Sequence, residues 1–129
     1  MKEILKTISK KEKKLVLTLS IFVVLITLLP YIFGYLRTPD ESFYTGIHAL
    51  TPGDTNVYYS YLEQVEQGDL VFKDLYTSES QGTSLIKPFW AAVGIFGKLL
   101  HLPHWLTIQI TRSILIFVFI AIAYLFISY

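Results

Sequence analysis

The residues able to do chemistry lie between two long apolar stretches. Asp40 and Glu41 form an acidic pair, and Asp54, Asp69, Asp74 and Glu79 follow. A carboxylate facing a membrane-embedded cavity can take a proton from a hydroxyl or amine acceptor, because desolvation lifts its pKa toward the range of a general base. The plainer alternative is a set of solvated loop acids, with Asp54 suited to a helix N-cap. Three histidines, His48, His101 and His104, raise the question of a metal. Pro103 interrupts any helix that would carry His101 and His104 on one face, so they read as interfacial histidines without a ligand. No metal ligand is assigned, and no cofactor is demanded by the pattern, although a divalent metal stays open. The sequence has no cysteine, which excludes disulfides and thiolate metal sites. It also has no phosphate-binding glycine loop, nucleophile elbow or zinc box. The nine tyrosines read as membrane-interface anchors before sugar-stacking platforms.

The elements that must position these residues are set by hydropathy. The chain has 129 residues, 53% of them hydrophobic and 16% charged. That is more apolar than an ordinary soluble domain. Six of the eleven basic residues fall in the first fourteen positions, whereas residues 37–109 hold eight acids against four bases. Because the lysine cluster directly precedes an apolar run, it speaks to membrane orientation and not to nucleic-acid binding. Residues 1–14 are read as a cytoplasmic basic N-terminus and residues 15–36 as transmembrane helix 1. The latter run has twenty-two residues and no charge. A signal peptide is the rival, but its apolar region is usually only about 7–15 residues long. A bilayer core asks for about 20. Pro30 and Gly34 are expected to kink the outer end of this helix.

Residues 37–104 form the expected extracytoplasmic loop, with helices near 54–67 and 88–100. Val57, Tyr58, Tyr61, Leu62 and Val65 make one apolar stripe, with Glu63, Gln64, Glu66 and Gln67 covering the other face and Gly68 as the stop. Residues 69–84 read as irregular loop. The stretch 88–100 opens at Pro88 and is too short to span, which suits an interfacial helix. Residues 105–129 are read as transmembrane helix 2, entered near Trp105 and Arg112. The expected fold is an all-α membrane protein: two transmembrane helices flanking an outer loop with short amphipathic helices. The apolar final stretch points to a fragment of a larger polytopic bundle, the remaining helices being partners of this piece.

The order of several motifs resembles the GT-C superfamily of integral-membrane glycosyltransferases, in the branch of the protein O-mannosyltransferases and lipid A aminoarabinose transferases. Asp54 is followed four positions later by Tyr58, the helix closes on Gly68-Asp69, Lys87-Pro88-Phe89-Trp90 opens the next helix, and Phe96-Gly97 and Arg112 precede the second span. The likeness covers about residues 15–129. Two departures are visible: Asp54-Thr55 stands where the family has Asp-Glu, and Phe89 replaces the second proline of Lys-Pro-Pro. Asp40-Glu41 is a true acidic pair with Tyr44 four after Asp40, but no amphipathic helix ending in Gly-Asp follows it, so Asp54 ranks above Asp40 and Glu41. The resemblance implies transfer of a sugar from a polyprenyl-phosphate donor to an acceptor outside the cytoplasmic (inner) membrane. Asp54 would be the base, Lys87 would pair with the donor phosphate, and Tyr58 and Asp69 would line the substrate site. The fragment alone is expected to be inactive. For Lys87 the competing reading is a snorkelling interface lysine.

Two other classes compete. A non-catalytic transporter or surface-polysaccharide assembly component would place binding groups inside its spans, and residues 15–36 carry no charge. A small two-helix protein with an external sensory loop would end in a polar tail, not in an apolar run.

Overall fold

A computed structural model describes residues 9–47, 52–79 and 87–128. Among them there are four helices and no strand: α1 (Lys10–Leu36), α2 (Pro52–Gln67), α3 (Pro88–Leu99) and α4 (His104–Ser128). The chain divides into two compact units. One contains α1 and α4 from Arg112 onward, and the other is Thr38–Thr111.

In the first unit α1 starts at Lys10, five residues before the apolar run. A capping box explains the early start. The Ser9 N–H donates to Glu12 Oε2 at 2.6 Å, and the Glu12 N–H donates back to Ser9 Oγ at 3.3 Å. Two otherwise orphaned donors are thereby satisfied. Pro30 lies inside α1, which remains helical to Leu36. Helices α1 and α4 have 27 and 25 residues, and each holds an eighteen-residue window whose mean hydropathy is 2.6 and 2.4 respectively. At 1.5 Å per residue each reaches roughly 40 Å, against a hydrocarbon core of about 30 Å. Both are thus long and apolar enough to cross a membrane. Leu15, Leu36, Phe119 and Phe126 are exposed at 63%, 74%, 72% and 85%. The core helix of a soluble protein buries such residues; these helices present them outward. Their hydroxyls are turned inward to the backbone, with Ser20 Oγ donating to Val16 O at 2.8 Å and Thr27 Oγ1 to Val24 O at 3.0 Å.

In the second unit α2 and α3 run parallel, as their contacts show. Tyr58, midway along α2, meets Trp90 at the start of α3. Val65 meets Gly94 farther along, and Lys98 reaches the last turn of α2. Tyr61, Val65 and Phe72 form the core, with Val57, Trp90 and Ala91 packed on it. Gly94 permits the approach: a Cβ there would lie 2.7 Å from Val65 Cβ. Gly97 does the same against Thr107, whose Oγ1 would stand 2.6 Å from an added Cβ.

Both helices end in the same motif. At the end of α2, Gly68 has φ +104 and donates to Val65 O, while Asp69 donates to Gln64 O at 2.8 Å. At the end of α3, His101 takes φ 51 and donates to Lys98 O, while Leu102 donates to Gly97 O at 3.0 Å. Each is a Schellman ending. The second uses a histidine where glycine would be unstrained.

Two sequence expectations are corrected here. Asp54 is not the N-cap: α2 already begins at Pro52, which puts Asp54 in the first helical turn. Its charge still favours that end through the helix dipole. Gln64 does not cover the solvent face; it is buried, with 5% exposure. Its amide accepts from Lys73 N–H at 2.8 Å, and donates to Lys73 O and Ser60 O, both at 3.1 Å. Paired in this way, the irregular segment after Gly68 returns to α2 and buries Phe72.

Candidate functional site

The parallel arrangement sets the start of α3 beside Tyr58 and Tyr61, midway along α2. Asp54, Tyr58 and Tyr61 recur at helical spacing on one side of α2. Asp54 is exposed in the first turn. Tyr58 is 38% exposed and stacks on Trp90, with ring centroids 4.4 Å apart and planes 15° from parallel. Phe89 meets Trp90 edge-on at 5.1 Å. Lys87 donates from Nζ to Tyr61 Oη at 2.8 Å, and the same ammonium lies 4.5 Å from the Tyr61 ring centroid.

Lys87 is also the N-cap of α3, and no side chain caps that helix. Pro88 follows at its first position and has no N–H to leave unpaired. The result is an aromatic platform, a lysine ammonium and the N-terminus of α3 in one place, an environment suited to an anion beside a ring. The structure thus brings Tyr58 and Lys87 together, with Asp54 one turn before Tyr58.

The other sequence candidates lie elsewhere. Asp69 follows α2 at its far end, about 22 Å along the axis from Asp54 at 1.5 Å per residue. Asp40 and Glu41 are exposed in the turn after α1, where Ser42 N–H donates to Pro39 O at 2.9 Å. Asp74 accepts from its neighbour Tyr76 N–H at 2.9 Å, a local turn contact. Glu79 is exposed, and its N–H donates to Thr77 Oγ1. His48 lies outside the described residues. His101 serves the backbone turn after α3.

Three further residues form a cluster that sequence reading did not assemble. His104 opens α4 with its Nε2 3.2 Å from Glu63 Oε2 and 3.7 Å from Glu66 Oε2. Gln67 Nε2 donates to Glu63 Oε1 at 2.9 Å. That bond first, and His104 second, hold the Glu63 carboxyl below its ordinary range. Glu66 and His104 line a cleft of about 390 Å³ together with Tyr59, Trp105, Thr45 and Ile47. The i, i+3 acids were a readable signal; their pairing with a histidine forty-one positions on was not.

Within the first unit Arg112 links α4 to α1. Its Nη2 donates to Thr27 O at 2.9 Å, and its guanidinium lies 4.5 Å from the Tyr31 ring centroid.

Comparison with known protein families, characterised proteins and solved structures gives no match for this chain.

Proposed function

We propose that this chain is part of a membrane-embedded glycosyltransferase that takes its sugar from a polyprenyl-phosphate carrier. The single observation that carries the reading is the convergence of Lys87 and Trp90, at the start of α3, on Tyr58 and Tyr61 of α2. Lys87 and the N-terminus of α3 supply positive potential for the donor phosphate, each a point contribution and not a bidentate clamp. The stacked Tyr58–Trp90 pair offers an apolar face to a sugar ring. Asp54, one turn before Tyr58, takes the acceptor proton as the glycosidic bond to phosphate breaks and the bond to the acceptor oxygen or nitrogen forms. The lysine-rich start stays cytosolic by the positive-inside rule, which assigns the segment between the two spans to the outer side. A donor with its prenyl tail in lipid keeps its phosphate at the interface, so a site for it belongs in a membrane protein.

The test uses the protein in lipid nanodiscs. Binding of a polyprenyl phosphate is compared with binding of the same polyprenol lacking phosphate. The phosphate form is expected to bind more tightly, and Lys87→Gln to remove about tenfold of that difference, the worth of one charge-assisted hydrogen bond at a half-buried site. In membranes containing the protein, Asp54→Asn is expected to abolish transfer from the polyprenyl-phosphate sugar while donor binding persists. Equal binding of phosphate and alcohol would remove the donor assignment and favour a non-catalytic membrane component.

A further inference from the structure

We propose that Glu63, Glu66 and His104 form a binding site for a divalent transition-metal ion. The site is separate from the Asp54 end of α2, about 13 Å away along the helix at 1.5 Å per residue, and it does not depend on the glycosyl-transfer reading.

Geometry comes first. The three donor atoms all lie within 4.8 Å of one another, and the imidazole nitrogen is already 3.2 and 3.7 Å from the two carboxylates. Ligands on bonds of about 2.1 Å sit roughly 3–3.5 Å apart around a metal. Only the remaining separation has to shrink, which a turn of the half-exposed Glu66 side chain supplies.

The donors are also held from outside the cluster. Gln67 fixes the second oxygen of Glu63, and the Tyr59 ring packs edge-on against His104, 6.1 Å between centroids. Tyr59 is itself tied by its hydroxyl to Thr45 O at 2.6 Å. Such outer contacts orient ligands before the metal arrives.

Charge supplies the independent reason. Two carboxylates share one imidazole. Among the described residues, no lysine or arginine joins His104 within ion-pair distance of either acid. The nearby Lys98 ammonium is spent on the last carbonyls of α2, donating to Glu66 O at 2.9 Å and Val65 O at 3.3 Å. A dication would neutralise the pair. One imidazole with two carboxylates suits Zn²⁺, Mn²⁺ or Fe²⁺ over Ca²⁺ or Mg²⁺. Three protein donors leave a coordination position open. Glu66 and His104 stand on the wall of the cleft that holds Tyr59 and Trp105, so that position faces space for an oxygen ligand.

The experiment titrates Zn²⁺ into the tag-free full chain in detergent micelles, measuring stoichiometry and affinity by calorimetry. One ion per chain is expected. His104→Gln and Glu66→Gln should each weaken binding by at least about tenfold, as loss of a ligand exceeds the usual outer-sphere effect. Glu41→Gln, an exposed acid away from the cluster, should leave it unchanged. X-ray absorption at the zinc edge should show one imidazole nitrogen among oxygen ligands, a readout that does not depend on any variant folding. Binding that survives His104→Gln unchanged, several weak sites in place of one, or a zinc shell with no imidazole would overturn the assignment.

Discussion

Replacing Gln64 by leucine should release the segment that follows α2. The Gln64 amide meets both backbone groups of Lys73, accepting at 2.8 Å and donating at 3.1 Å. Leucine is apolar and of similar size, so packing of α2 is kept while both bonds are lost. Two responses compete. If the segment stays, one donor and one acceptor lose their partners. Both bonds are only part-buried, so water recovers some of the loss and each costs about 1 kcal/mol, the low end of the range for an unsatisfied group. If the segment leaves, Phe72 passes from 1% exposure into water, at about 1.5–3 kcal/mol. The cheaper route sets the bound, so local stability should fall by about 2 kcal/mol, or roughly thirtyfold in the opening equilibrium.

Hydrogen exchange of the stretch from Gly68 to Glu79 in micelles reads this directly. Gln64→Leu should speed exchange at Lys73 by that factor and leave the spans unchanged. Gln64→Glu sharpens the test. A glutamate there still accepts from the Lys73 N–H, but its other oxygen faces Lys73 O and Ser60 O, which repel an anion and raise its pKa in the folded state. A group whose folded pKa is raised contributes stability below its unfolded pKa, about 4.3, and loses it as pH rises through the folded value. Protection in Gln64→Glu, corrected for intrinsic exchange, should therefore be near normal at pH 4 and reduced at pH 7. Equal protection at both pH values, or unchanged exchange in Gln64→Leu, would refute the assignment of this amide as the tether.

Three further outcomes follow from the same packing. His101→Gly should raise the thermal midpoint in micelles by several degrees, since a side chain at φ 51 costs about 1 kcal/mol that glycine does not. Gly94→Ala should lower it: the new Cβ would stand 2.7–3.0 Å from three Val65 carbons, and overpacking of about 1–3 kcal/mol exceeds the helix-propensity gain of about 1. The same substitution should weaken the Tyr58–Trp90 stack one turn earlier, visible in Trp fluorescence. Glu63 titrates below its ordinary range, chiefly through Gln67 and then His104. Its small stabilising contribution is therefore present above the unfolded carboxylate pKa and lost as pH falls through the folded value. NMR titration of His104→Gln should return the Glu63 pKa only part of the way, because the larger cause remains.

The parts of this architecture legible in sequence are those governed by local pattern. The two apolar runs, the stripe of Val57, Tyr61 and Val65, and the stop at Gly68 each follow from spacing along a single segment. The Ser9–Glu12 capping box was equally local, but it sits within a lysine-rich run whose charge drew the reading toward orientation and away from helix starts. What spacing cannot supply is the identity of the partner across a gap. Gln64 is polar on any helical wheel; only the return of Phe72, from a segment rich in Ser and Thr, makes burial of an amide favourable. Glu63 and Glu66 read as a solvated face until His104 arrives at the start of α4. Lys87 reads equally as a snorkelling side chain or an anion ligand from its place before Pro88. Its contact with Tyr61 comes from the packing of α3 on α2, where Gly94 lies against Val65, a fit of shapes that no periodicity records. The residues most open to functional assignment are therefore those placed by the crossover between α2 and α3. Substitutions that loosen that crossover, at Gly94 or Gln64, should disturb binding at Lys87 without touching it.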